Sequence, residues 1–214
     1  MRHQGFIITM LVLMGIINLS ITSVYAETWE EYNDRGIAYY KQGNFAHAIS
    51  EYTQDIVNNP NRALTYVNRG LAYEKQGNLS QAIADYTRAI EIDPKCVPAY
   101  SNRGVTYIKQ ENYSHGISDC TKAITIYPNI AETYCDRGIG FYSQGDFVKA
   151  ISDFGKAVEI NPNLANAYEV RGVAYYYLEE YDKAWADVHK AEGMGVNIKP
   201  NFIAMLKKAS GRDK

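Results

Sequence analysis

Apolar and small positions along residues 29–196 return with a period of 34, and each period holds two helical stripes. Gly36, Gly70, Gly104, Gly138 and Gly172 mark the period without a gap. Tyr32, Tyr66, Tyr100, Tyr134 and Tyr168 stand four residues earlier, and Tyr39, Tyr73, Tyr107, Phe141 and Tyr175 three residues later. Offsets of four and three keep all three columns on one face of a first helix. A second stripe follows. Ala48, Ala82, Gly116, Ala150 and Ala184 are small, and Tyr52, Tyr86, Cys120, Phe154 and Val188 come four residues later. Another small residue closes the stripe at Ala89, Ala123, Ala157 and Ala191, with Asp55 in that slot of the first period. Small residues opposite large ones let two helices interdigitate. The spacing therefore predicts a helical hairpin per period, with glycine retained at the close crossing despite its cost of about 1 kcal/mol in helix propensity.

The turns support the same reading. Gly43-Asn44, Gly77-Asn78 and Gly145-Asp146 place glycine at the end of one helix and a capping residue at the start of the next. Asn78 with Gln81 fits a capping box. Glu111 and Glu179 take the glycine slot in periods three and five, where the turn is expected to be more strained. Pro60, Pro94, Pro128 and Pro162 end the first four periods.

Two polar columns accompany the apolar ones. Arg35, Arg69, Arg103, Arg137 and Arg171 precede the glycines, and Glu51, Asp85, Asp119, Asp153 and Asp187 lie fifteen residues after them. The spacing predicts a ladder of arginine–carboxylate pairs within or between hairpins, setting register more than adding stability.

Period and pattern together resemble the tetratricopeptide repeat (TPR), over about residues 29–196. The departures are Asp55, the pair Gly116 and Cys120, and Val188 with no closing proline. The resemblance implies an all-α, right-handed α-solenoid of about five helix-turn-helix hairpins. The repeats are expected at 29–62, 63–96, 97–130, 131–164 and 165–198, within an array spanning 27–196. Residues 199–214 are expected to form a cap helix and tail, with Phe202, Ile203, Leu206 and Ala209 on one side and Lys207 and Lys208 on the other.

The resemblance also implies a concave groove lined by the first helices, taking a peptide or a partner helix. Its columns lie one, four and five residues past each glycine. The first holds Ile37, Leu71, Val105, Ile139 and Val173; the second Tyr40, Glu74, Ile108, Tyr142 and Tyr176; the third Lys41, Lys75, Lys109, Ser143 and Tyr177. The first column is equally open to burial between neighbouring hairpins. Some relatives grip a C-terminal carboxylate with lysine and asparagine three residues before and one after the repeat glycine. Here the earlier slot holds Asn33, Val67, Ser101, Cys135 and Glu169, and the later one is aliphatic, so that activity does not carry over.

Composition adds three points. Of 19 tyrosines, nine fall in the two columns flanking the glycines, so the tyrosine excess is mainly architectural. A net charge of −2 with no basic face excludes an electrostatic case for nucleic acid. Residues 1–26 read as a signal peptide, with Arg2 and His3, an apolar run from Phe6 to Leu19, and Val24-Tyr25-Ala26 before the cut. The protein is then periplasmic or secreted, and it meets a membrane only through that segment if it stays uncleaved.

No catalytic constellation emerges, and no enzyme, cofactor or metal is expected. His47 and His115 share a column two repeats apart, and His189 lies elsewhere. Among Cys96, Cys120 and Cys135 one bridge is conceivable, Cys120–Cys135, with unpaired thiols the simpler state. Asn78-Leu-Ser80 and Asn112-Tyr-Ser114 match a glycosylation sequon but double as helix caps. The function expected is a non-catalytic scaffold binding another protein; the alternative is a structural solenoid that self-associates end to end.

Overall fold

The structure is a computed structural model that describes residues 29–212, with the side chains described from residue 31. The expected signal peptide lies outside these residues. All regular structure described is helical, in the order α1 (Trp29–Lys41), α2 (Phe45–Asn58), α3 (Ala63–Lys75), α4 (Leu79–Ile92), α5 (Val97–Lys109), α6 (Tyr113–Ile126), α7 (Ala131–Ser143), α8 (Phe147–Ile160), α9 (Ala165–Tyr177), α10 (Tyr181–Gly193) and α11 (Pro200–Ser210). This is the α-solenoid class, built from helical hairpins and a terminal helix. The chain divides into two compact bodies after Pro60. The first holds hairpin α1–α2 and the second everything from α3 onward. No described helix is long and apolar enough to cross a membrane.

In four of the five hairpins the glycine meets its partner as closely as the pattern implies, Gly172 having more room at 3.3 Å, and what it meets varies. A Cβ at Gly36, Gly70 or Gly138 would fall 2.5–2.6 Å from a ring carbon of Tyr52, Tyr86 or Phe154. In repeat three the ring is replaced by Cys120, and the helices themselves approach. A Cβ on Gly104 would lie 3.0 Å from the Gly116 carbonyl oxygen, and one on Gly116 2.8 Å from that of Gly104. The departure at Gly116 and Cys120 is thus one paired change, trading a buried ring for backbone contact.

The turns hold two outcomes. Glu111 and Glu179 adopt φ of 61° and 60°, where Gly43, Gly77 and Gly145 adopt 75–82°, so the two glutamates carry left-handed strain that glycine avoids. Asn44 and Asp146 cap α2 and α8, accepting from the backbone N–H of His47 (3.4 Å) and Lys149 (3.1 Å). The capping box at Asn78 does not form: its side chain makes no cap bond, and its amide donates instead to Gln76 Oε1 at 3.4 Å. Asn112 makes no side-chain cap bond either; its Oδ1 faces His115 Nδ1 at 2.8 Å.

Helix α11 covers the end of the second body. Leu206 is fully buried against a cluster of Ala184, Trp185, Val188, Ala191 and Ile198. Ala209 is exposed rather than packed, because the contact on that turn is polar: Trp185 Nε1 donates to Ser210 Oγ at 3.0 Å. Leu206 falls 34 residues past Gly172, and Phe202 falls 34 past Tyr168. By register, α11 is a first helix whose glycine slot has been filled.

Candidate functional site

The arginine column pairs with the acid column in every repeat. Arg69, Arg103, Arg137 and Arg171 each present Nε and Nη2 to the two oxygens of Asp85, Asp119, Asp153 and Asp187, at 2.7–2.9 Å. In repeat one, Arg35 reaches a single oxygen of Glu51 at 2.9 Å. Planar forks of this kind are the strong form of the interaction. The same guanidiniums lie among the aromatic columns. Arg137 stands 5.6 Å from the Tyr134 ring centre and 6.0 Å from that of Phe141; Arg171 stands 5.4 and 5.9 Å from those of Tyr168 and Tyr175. Tyrosine four before and aromatic three after the glycine therefore flank a cation, in addition to lining a stripe. Arg103 and Arg137 also donate to Thr87 and Thr121 of the preceding repeat, at 2.9 and 3.2 Å. At these two rungs the ladder joins successive hairpins of the second body as well as closing each one. Gly155 occupies that threonine slot before Arg171. Hydrogen bonding to the aspartates holds Arg103, Arg137 and Arg171 above the ordinary guanidinium pKa.

The proposed groove columns behave unequally. In the first body, Tyr40 packs edge-on to Phe45 at 5.4 Å and Lys41 is exposed. In the second body, Leu71, Val105, Ile139 and Val173 are half-buried, so this column is shared between packing and surface. Ile108 is turned inward: its Cγ1 would lie 2.5 Å from a Gly116 Cβ, and its Cδ1 3.3 Å from a Gly140 Cβ. The lysine edge is also reduced. Lys75 is exposed, but Lys109 pairs with Glu74, which also accepts from Thr106 Oγ1 (3.1 Å) and Tyr86 Oη (3.2 Å).

Glu74 and Lys109 are 35 residues apart, and so are Tyr142 and Tyr177, whose rings meet at 5.9 Å. The fourth position past one glycine thus touches the fifth past the next. Tyr177 further stacks on Phe147 at 4.7 Å with planes 4° apart, and Tyr176 meets Phe202 of α11 edge-on at 5.6 Å. Phe147 and Phe202 were absent from the groove columns. Both are aromatic residues beside a turn or in the continued tyrosine register, a signal the sequence does carry. Burial together with a hydrogen bond to Tyr177 pushes the Tyr142 phenol up to about 12.

Beside this cluster lies a half-open, mainly apolar cavity of about 420 Å³. Its wall takes Ile139 and Tyr142 from α7, Val170 and Val173 from α9, and Ile198 and Phe202 from the terminal segment. Glu169 and Lys199 are the charged residues in the lining. A space of this size suits one or two large side chains of a partner.

The tetratricopeptide-repeat family model matches residues 63–96, 97–130 and 131–164. The chain belongs to the tetratricopeptide-repeat family. Solved structures agree in fold. A crystal structure of MamA is 26% identical with a TM-score of 0.68, over 75% of this chain and 94% of that one. Pseudomonas aeruginosa PilF is 18% identical with a TM-score of 0.77, over 86% and 84%. YrrB, described as a TPR protein with an unusual peptide-binding site, is 19% identical with a TM-score of 0.65, over 82% and 91%. No curated protein matches the sequence.

Other chemistry is sparse. Among the described residues no three histidine, cysteine or acidic side chains gather as a metal site requires. His47, His115 and His189 pack on Tyr39, Tyr107 and Trp185, at 5.2, 5.4 and 5.4 Å. Cys96, Cys120 and Cys135 are buried free thiols, and burial pushes Cys120 and Cys135 up to about 12.

Proposed function

We propose that this TPR protein is a non-catalytic interaction scaffold that holds a peptide or partner helix in the groove of its second body. The observation that carries the reading is the apolar cavity walled by Ile139, Tyr142, Val173 and Phe202. Aromatic and aliphatic walls around a concave space suit an anchoring side chain. The peptide-binding site ascribed to YrrB supports the same use of the fold. The composition of residues 1–26 supports export to the periplasm or exterior, which N-terminal sequencing of the mature protein would test.

Selection of displayed random peptides against the full chain tests the groove. Selected peptides are expected to lose at least about tenfold in affinity on Val173→Arg, which places a charge in the cavity wall. Peptides that bind wild type and variant equally would overturn the reading. Light scattering over a range of concentrations separates this from end-to-end self-association, for which growth of the particle with concentration is required.

A further inference from the structure

We infer that the cavity selects a cationic partner: a peptide segment presenting one large apolar side chain with lysine or arginine beside it. This rests on the groove reading and adds the chemistry of the occupant. The cavity itself supplies the apolar demand, through Ile139, Tyr142, Val170, Val173, Ile198 and Phe202. The charge around it supplies the rest.

Helix α7 carries Glu132, Asp136 and Ile139 at spacings of four and three, hence on one face. Ile139 is in the cavity wall, so the two carboxylates continue that wall along α7. Helix α9 adds Glu169 in the lining. Glu132 and Glu169 make no ion pair among the described residues. The cation beside Asp136, Lys109, is taken up by Glu74. Lys199 is the cation of the wall, and it stands exposed at the terminal segment. Along α7 and at the wall there are therefore three carboxylates, against one lysine in the cavity lining. A ligand cation settles this imbalance, and an acidic ligand worsens it.

Asp136 registers the imbalance. Its carboxyl is pushed up to about 6, first by burial and then by the charge of Glu132, with Lys109 pulling the other way. The groups facing it are Glu132 on its own helix, Lys109 on α5, and the neutral thiols of Cys120 on α6 and Cys135. A cation arriving here recovers a penalty already present in the free protein.

The test uses the full chain and a fluorescein-labelled peptide with one central phenylalanine flanked by arginine pairs, read by anisotropy. Its twins carry glutamate for arginine, or alanine for phenylalanine. The arginine peptide is expected to bind about tenfold tighter than the glutamate twin at low salt, with the gap closing as salt rises. Replacing phenylalanine is expected to cost about tenfold as well. Glu169→Gln and Asp136→Asn should each narrow the charge preference about threefold, and lowering the pH through 6 should narrow it in wild type but less in Asp136→Asn. A glutamate twin that binds as tightly as the arginine peptide overturns the inference. If peptides chosen by display bind at the cavity while both charged twins fail, this inference falls and the groove reading stands. If no peptide of any kind responds to Val173→Arg, both fall.

Discussion

Alanine at the repeat glycines should have opposite effects in two repeats that share the same sequence pattern. At Gly70 the new Cβ would lie 2.6 Å from Tyr86 Cε1, about 0.8 Å inside the 3.4 Å of ordinary contact. The ring has nowhere to go, because Tyr86 is fully buried and its hydroxyl is tied to Glu74. Overpacking of this kind costs about 1–3 kcal/mol, against a propensity gain of about 1 kcal/mol for leaving glycine. Gly70→Ala is therefore expected to destabilise by up to about 2 kcal/mol. At Gly172 the nearest atoms are the Ala184 carbonyl oxygen and Asp187 Cβ, both at 3.3 Å, with Val188 Cγ2 at 3.7 Å. A shift of a few tenths of an ångström suffices, so the propensity gain should leave Gly172→Ala neutral or stabilised by up to about 1 kcal/mol. Urea unfolding followed by circular dichroism reads the difference as midpoints separated by about 0.5–1 M. The closing control is Tyr86→Val, which copies Val188 of repeat five. In that background Gly70→Ala should turn from harmful to helpful, a coupling of at least about 1 kcal/mol. Equal effects of alanine at Gly70 and Gly172, or no coupling to Tyr86, would refute the claim that the facing ring is what retains glycine.

Three further outcomes concern the polar columns and Asp136, and are checked by the same unfolding measurements. Arg137→Ala should cost about 3–5 kcal/mol, since the Asp153 side chain is only 8% exposed, whereas Arg35→Ala opposite the 21% exposed Glu51 should cost about 1 kcal/mol. Replacing Arg137 and Asp153 together by methionine and leucine should fall within about 1 kcal/mol of wild type; comparable losses for all three variants would deny burial its role. Gly155→Thr should stabilise by about 1 kcal/mol, because a Cβ there meets only Arg171 Nη1 at 3.8 Å and a hydroxyl can supply the bond that Thr121 gives Arg137. Asp136 is protonated more readily when folded than unfolded, so its contribution falls as pH rises from about 3.8 to about 6; Asp136→Asn should be more stable than wild type at pH 7, by up to about 3 kcal/mol, with the gain vanishing below pH 4. A gain independent of pH would sink that assignment.

What the sequence disclosed, and what it withheld, divides along the repeat. Contacts inside one hairpin follow from column spacing, which is why the tyrosine, glycine and alanine stripes and the Arg137–Asp153 fork were legible. Contacts between successive hairpins are not columns, because they join different slots of neighbouring periods. Glu74 with Lys109 and Tyr142 with Tyr177 need an offset of 35, one more than the period, so aligned columns display them as parallel and unrelated. Reading Lys109 as part of an open lysine edge overlooked the same offset. The capping box failed for another reason: the spacing was right, but the Asn78 side chain is turned so that its amide donates to Gln76 two residues back. The cavity could not be foreseen without knowing that Phe202 folds back on Tyr176.

Leu206 turns the repeat register to another use. In five repeats the crossing point is kept bare for a second helix, and at the equivalent sixth position a branched side chain already occupies the space. That side chain is spent on α10 and Ile198, not on a second helix of its own. The terminal helix therefore works as a lid on the last hairpin: the slot that each repeat leaves bare to receive a neighbour is here used to seal one.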